Sequence, residues 1–385
     1  MNRLARVHQT CREWFSDSYD IDAINAVLAT AAAEQLNGDP LWLLLISGSG
    51  NLKTETVCTL TKTTALITST ITSEGALLSA SPKRERTKDA TGGLLRAIGA
   101  RGVLVIKDLT SILSMDRNTR ATVIAALREI HDGLWRRNVG TDGGHTLTWQ
   151  GRIAVIGACT TAWDRAHDVI AQMGDRFVLL RLDSSDIQGR KIAGYKAMAN
   201  TGDEVKMRDA LADVVADVLN HVDLQTACRL NATETERILA AADAVTLTRT
   251  GVDYDYHGAV IDAHAPEMPT RFAKELVQLM RGACAVGLAR DEALRLTLRC
   301  ARDSMPPLRL AILEDVQAHP RSRTIEIRQR LNKPYTTVDR QLQALHMLGV
   351  LECEEVEISD KKRSWYYSVN GHIDPKAVGI FQKCE

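Results

Sequence analysis

The sequence predicts an α/β protein with a parallel-sheet core, an all-α region after it and a small mixed domain at the C-terminus. Three observations predict this. First, an uninterrupted apolar run at 41–46 and further largely apolar runs at 102–106, 152–158 and 177–182 recur, with helical patterns between them. Such runs suit strands buried on both faces, and their alternation with helices suits a parallel sheet. Second, the pattern from 186 to 298 is nearly all helical. Third, Met305-Pro306-Pro307 breaks that run, and the character changes again beyond it.

Residues 1–38 read as helical, with Ala-rich periodicity from 21 to 36, and Asn37-Gly38-Asp39-Pro40 stops them. The run 41–46 is the first buried strand. A Gly-containing loop follows, then a helix over 53–66, and the β-branched stretch 65–72 suits a further strand. Residues 79–93 are polar, basic and Gly-containing and read as a loop. The basic run 83–88 is a solvated loop or a DNA contact. Residues 119–134 form an amphipathic helix. The glycines of 140–151, between Trp135 and Trp149, suggest a hairpin or an insert.

Composition sets limits. Lys+Arg and Asp+Glu are both 48, so the net charge is zero and any nucleic-acid surface must be local. The eight cysteines show no CxxC spacing and no adjacent His cluster, which predicts reduced thiols rather than a metal site. The first residues have no apolar core of a secretory signal. The longest apolar run is far shorter than a bilayer span. The expectation is a soluble cytoplasmic protein with no membrane partner.

The chemistry-bearing motifs lie at strand ends. Ser47-Gly48-Ser49-Gly50-Asn51-Leu52-Lys53-Thr54 follows the first strand and opens a helix. A P-loop reads GxxxxGK[ST]. Its backbone N–H groups cradle phosphates, its Lys reaches the β/γ oxygens and its hydroxyl holds Mg²⁺. Lys53 and Thr54 fit this pattern, whereas Ser47 and Leu52 stand where it has Gly. The alternative is a plain strand–helix turn. The strand 102–106 ends in Lys107-Asp108, which suits a Walker B carboxylate serving Mg²⁺ or the attacking water. A strand-end Asp capping the next turn is the bland alternative. Thr160, at the end of the strand 152–158, matches a hydroxyl that orients water near the γ-phosphate. Arg176 precedes the next strand and suits an arginine finger, with Arg181 and Arg165 behind it, against a surface ion pair. Arg271, at the start of the helix that follows Pro269, suits a second γ-phosphate contact.

The order of these pieces from 40 to 285 is similar to AAA+ ATPases. Within them, residues 102–113, the run 127–132 and the Gly-containing hairpin region resemble the branch of the minichromosome-maintenance helicases and related bacterial activators. The chain resembles bacterial, phage and mobile-element ATP-binding proteins with a helix-turn-helix tail, in which the Walker B region also reads Lys-Asp. The resemblance implies ATP and Mg²⁺ as ligands, a ring-like homo-oligomer of about six subunits, and work on DNA in replication, helicase loading or mobile-element maintenance.

The C-terminal pattern is helix 308–316, helix 324–331, an Asn332-Lys333-Pro334 turn, helix 335–348 and two β-rich runs around a basic turn. That is the winged-helix arrangement. Its third helix would present Thr336, Thr337 and Arg340 to a major groove, while Lys333, Lys361, Lys362 and Arg363 would meet phosphates. The acidic run Glu352, Glu354, Glu355 and Glu357 leaves a protein partner as the alternative. The chain thus divides into an N-terminal helical segment (1–38), an AAA+-like nucleotide-binding core (39–185), an α-helical lid (186–304), a winged-helix domain (305–372) and a tail (373–385).

Overall fold

The computed structural model describes residues 2–80, 92–140, 143–165, 176–183, 185–224, 229–359 and 362–379. They fall into two compact units. The first holds the described residues of 1–166, 173–229 and 278–296, and the second those of 230–277 and 297–385. The helical segment 1–38 therefore belongs with the sheet. The lid expected over 186–304 is divided between the two units.

The first unit is built on a five-stranded sheet. Its strands are β1 (Trp42–Ile46), β2 (Leu66–Thr68), β3 (Arg101–Ile106), β6 (Arg152–Cys159) and β7 (Val178–Arg181). They run parallel in the order β2-β3-β6-β1-β7. All five residues of β1 are buried, which is why this strand reads as an unbroken apolar run. The helix Ile21–Gln35 is buried from Asp22 to Ala33, and its small alanines let its backbone lie close. β2 covers three residues of the expected 65–72, as befits an edge strand with one partner. The helix expected over 53–66 ends at Cys58 and continues as a 3₁₀ turn, Thr59–Lys62.

Between the helix Arg117–His131 and β6 stands a hairpin of β4 (Leu134–Val139) and β5 (His145–Gln150). Trp135 and Trp149 face each other across it, both buried. This settles the glycine-containing segment in favour of a hairpin.

The second unit departs from the all-helical expectation for 186–298. After the helix Ala232–Arg249 comes a hairpin of β8 (Val252–Tyr254) and β9 (Val260–Ala263). Three helices follow Pro306: Pro307–Ala318, Thr324–Leu331 and Tyr335–Met347. A three-stranded antiparallel sheet joins them, in the order β10 (Ser322–Arg323), β12 (Lys362–Val369), β11 (Leu351–Ser359). Asn332 takes the left-handed conformation after the second helix (φ 50°), which Asn tolerates better than most residues. Val338, Leu342 and Leu345 bury the inner face of the third helix. The tail turns back as a 3₁₀ segment, Pro375–Val378, against the helix Ala232–Arg249, burying Ala377 and Val378. No helix among the described residues is long and apolar enough to cross a membrane.

Candidate functional site

In an open parallel sheet, ligands bind beyond the carboxyl ends of the strands, where successive connections leave in opposite directions. Here β1 connects toward the β2 edge, whereas β6 connects past β1 to β7. The loop 47–52 leaves β1 at that place. The Ser47 amide donates to the Cys159 carbonyl (3.3 Å), tying the loop to the end of β6. Lys53 is 9% exposed, and its Nζ donates to the Gly48 carbonyl at 3.0 Å. The lysine thus folds back over its own loop.

Leu52, the residue before that lysine, adopts φ 56°, ψ 1°. Left-handed backbone costs an L-residue about 1–2 kcal/mol. A glycine there would carry no such cost, which is the physical sense of the glycine in the P-loop pattern. Here the left-handed position is held by a leucine. Asn51 Nδ2 donates to the carbonyls of Leu182 (3.4 Å) and Asp183 (3.3 Å), fastening the loop to the segment after β7.

The Lys53 pKa is lowered by burial and raised back by the nearby Cys159 and Asp108. The structure therefore gathers Lys53, Asp108 and Cys159 at one end of the sheet. Asp108 is exposed, and its carboxylate accepts the Thr110 amide at 2.8 Å. It serves as a local cap, the bland alternative raised by its strand-end position. Thr160 is tied to Thr110: its amide donates to Thr110 Oγ1 (3.1 Å), and the two hydroxyls lie 3.3 Å apart. Thr110 Oγ1 also lies 3.6 Å from Cys159 Sγ. Burial pushes the Cys159 thiol upward in pKa, and the Thr110 hydrogen bond opposes that. Sequence reasoning missed Thr110. Its signal was a hydroxyl two residues after the strand-end Asp, at the start of a short helix. Thr54 is exposed at the head of the helix Lys53–Cys58.

The arginines are engaged within their own units. Arg176 is 12% exposed on its side chain and lies 3.6 Å from Asp132, with its Nε buried and unbonded. Arg181 grips Asp164 with two hydrogen bonds, 3.0 and 2.8 Å. Arg165 is exposed. Arg271 belongs to the second unit, where it pairs with Glu267 and lies 3.7 Å from Glu275.

A cavity of about 490 Å³ opens on the outer side of the loop. Ser49, Gly50, Asn51 and Leu52 form one wall, and Trp14 and Met207 contribute apolar surface. Tyr19 also lines it and donates or accepts a hydrogen bond with Thr56 (2.9 Å). Arg208 holds Glu55 with two hydrogen bonds, 3.0 and 2.7 Å. The lining is mixed, with the carboxylates of Asp20, Glu55, Asp183, Asp186 and Glu204 beside that apolar surface. The cavity was not legible in the sequence, because its walls come from four separate stretches of chain.

In the second unit, Lys333, Thr336, Thr337 and Arg340 are exposed at and along the third helix. Arg340 Nη2 donates to the His257 carbonyl at 2.7 Å. Arg363 lies 3.3 Å from Glu355, and Arg321 lies 3.0 Å from Glu354. The acidic strand β11 thus pairs with cations near it. Lys361 and the basic run 83–88 lie outside the described residues, as does the side chain of Lys362. Trp365 is half exposed, whereas Tyr367 is buried, and burial raises its pKa.

The described cysteines 11, 58, 159, 284, 300 and 353 are free thiols. Burial pushes Cys11 up to about 12, against the opposing charge of Arg12. No group of three or more His, Cys, Asp or Glu able to hold a metal occurs among the described residues.

No family model matches the chain, and no curated protein matches it. Among solved structures it is similar to one described as "The A form apo structure of NrS-1 C terminal region-CTR". The identity is 10%, the match covers 95% of this chain and 76% of that chain, and the TM-score is 0.24.

Proposed function

We propose that the chain is a P-loop, AAA+-type nucleotide-binding protein that acts on DNA through a C-terminal winged helix. One observation carries the reading. Lys53, 9% exposed and folded over the loop 47–52, lies at the end of the sheet where its connections diverge. A buried lysine beside a loop of backbone N–H groups is an anion site in search of a counter-charge.

ATP supplies the phosphoryl group and Mg²⁺ neutralises charge between its phosphates. Lys53 would leave the Gly48 carbonyl to meet the β/γ oxygens. Thr54 and Asp108 are exposed oxygen donors at the same end of the sheet. They fit Mg²⁺, which takes one or two protein oxygens and fills its shell with phosphates and water. Thr160, oriented by Thr110, would hold a water or a γ-oxygen. The cavity beside Trp14 and Met207 would take the base. Arg176, Arg181 and Arg271 would stabilise phosphate charge only on leaving their present carboxylate partners, and these or the exposed Arg165 could do so in a neighbouring subunit of a ring-like homo-oligomer.

A second reading has its own support. Leu52 strains the loop, Lys107 stands beside the Asp, and Asp108 is engaged as a cap. These favour a nucleotide-gated scaffold that binds DNA as a regulator without turnover. ATP hydrolysis by the purified chain, with and without DNA and beside Lys53→Ala, separates the two. Turnover that rises with DNA and vanishes in Lys53→Ala supports the motor or loader. Mg²⁺-dependent ATP binding without turnover supports the scaffold. Absence of ATP binding refutes both.

A further inference from the structure

The hairpin β8–β9 is an acidic element set against the helix read above as the DNA contact. Residues 252–263 include Asp253, Asp255 and Asp262 and no Lys or Arg. β9 packs on the helix Tyr335–Met347. Arg340 is the one Lys or Arg in that helix, and it shares the exposed face with Thr336 and Thr337.

The hairpin turn is built to meet it. Asp255 accepts the amides of His257 (2.9 Å) and Ala259 (2.8 Å), which fixes the tip. The His257 carbonyl then takes Arg340 Nη2 at 2.7 Å. Gly258 has φ +79°, and a Cβ placed on it would lie 2.4–2.8 Å from the Arg340 guanidinium. The guanidinium therefore rests on bare backbone, an approach that any side chain at 258 would block. At the next residue of the helix, Gln341 Nε2 reaches the Tyr254 hydroxyl at 3.4 Å.

The seam is weak as well as specific. Those are two hydrogen bonds, one of them long, and the hairpin leaves Tyr256 92% and Ile261 59% exposed. An element with so little buried apolar surface opens at low cost. Its carboxylates also repel phosphate wherever they face the same solvent as Arg340.

We propose that the β8–β9 hairpin is an autoinhibitory clasp on the DNA-contacting helix. It holds Arg340 through the His257 carbonyl and carries Asp253, Asp255 and Asp262 on the same hairpin. Duplex binding then requires the clasp to open, and the apparent affinity falls with the fraction of open molecules. This inference rests on the DNA reading of the third helix.

The test is fluorescence anisotropy of a labelled DNA duplex with the full chain, at low salt and at about 0.2 M salt. Gly258→Ala drives the guanidinium from its seat and should tighten binding about tenfold. Asp253→Asn combined with Asp262→Asn removes two exposed charges, leaves an amide oxygen to take the bonds from His264 (3.0 Å) and the Ala263 amide (2.8 Å), and should tighten binding about threefold. Adding Arg340→Ala to Gly258→Ala should abolish the gain. Saturating DNA should also speed amide exchange in β9. Wild-type binding with no gain in either variant would overturn the clasp and leave the DNA reading standing. No binding by the wild type or any variant at low salt would overturn both. DNA that slows exchange in β9 would overturn the clasp and assign the hairpin to the bound surface.

Discussion

Arg309 offers the sharpest test of how the second unit is held together. It sits on the helix Pro307–Ala318 with 3% exposure. Its Nη1 donates to the carbonyls of Thr248 and Thr250, both at 2.7 Å, and its Nε donates to Gln341 Oε1 at 2.9 Å. The two carbonyls belong to the end of the helix Ala232–Arg249, where backbone acceptors lack intrahelical partners. Arg309→Met keeps much of the side-chain volume and removes all three bonds. Hydrogen bonds to a charged group contribute about 1.5–3 kcal/mol each. The desolvation that buried Arg309 suffers offsets a good part of that sum. Two buried carbonyls left unpaired then dominate, and the net loss should be about 3 kcal/mol. With a urea slope of about 1–3 kcal/mol per M, the midpoint of the second unit should fall by about 1–3 M. Hydrogen exchange of the helices Pro307–Ala318 and Tyr335–Met347 during a urea series reads that midpoint apart from the sheet. Arg309→Lys should recover part of the loss, since an ammonium can reach one carbonyl. A Met variant within about 0.5 kcal/mol of wild type, or a Lys variant no better than Met, would refute the capping role.

Further outcomes follow from single contacts. Leu52→Gly relieves about 1–2 kcal/mol of left-handed strain and loses about 0.5–1 kcal/mol to chain entropy, so stability should rise by about 0–1.5 kcal/mol while calorimetric MgATP affinity rises. A loss above about 2 kcal/mol would mean that the leucine is held by packing. Thr110→Val should cost about 1–2 kcal/mol in urea unfolding and lower any ATP turnover by releasing Thr160; unchanged turnover would remove Thr110 from the site. Asp116 caps the helix Arg117–His131 through the amides of Asn118 (3.0 Å) and Thr119 (3.1 Å), and these bonds, with the Thr119 hydroxyl first, hold its pKa below 3.8. Its contribution is full above the ordinary carboxylate value and is lost as pH falls through the lower folded value. Thermal unfolding of Asp116→Asn should lack that acid-side slope.

The strands were legible because parallel strands buried on both faces are apolar almost throughout, as at 42–46 and 153–159. The three C-terminal helices were legible because a 3.6-residue apolar stripe such as Val338, Leu342 and Leu345 has one meaning. The hairpin β8–β9 was not legible. Its residues are half exposed, and short half-buried strands leave too little periodicity to separate them from a helix with polar faces.

The sequence by itself determined which residue types stand at the strand ends, since Lys53, Asp108 and Thr160 each follow a run that can only be a buried strand. The tertiary structure alone decided what those side chains face. Strand order brings β6 between β3 and β1, so Thr110 reaches Thr160 across 50 positions of chain. It also decided that Leu52 bears a left-handed backbone and that Arg340 rests on Gly258. Local pattern fixes the element to which a residue belongs because that depends on its neighbours in sequence. Partners depend on contacts between distant segments, and no periodicity encodes them.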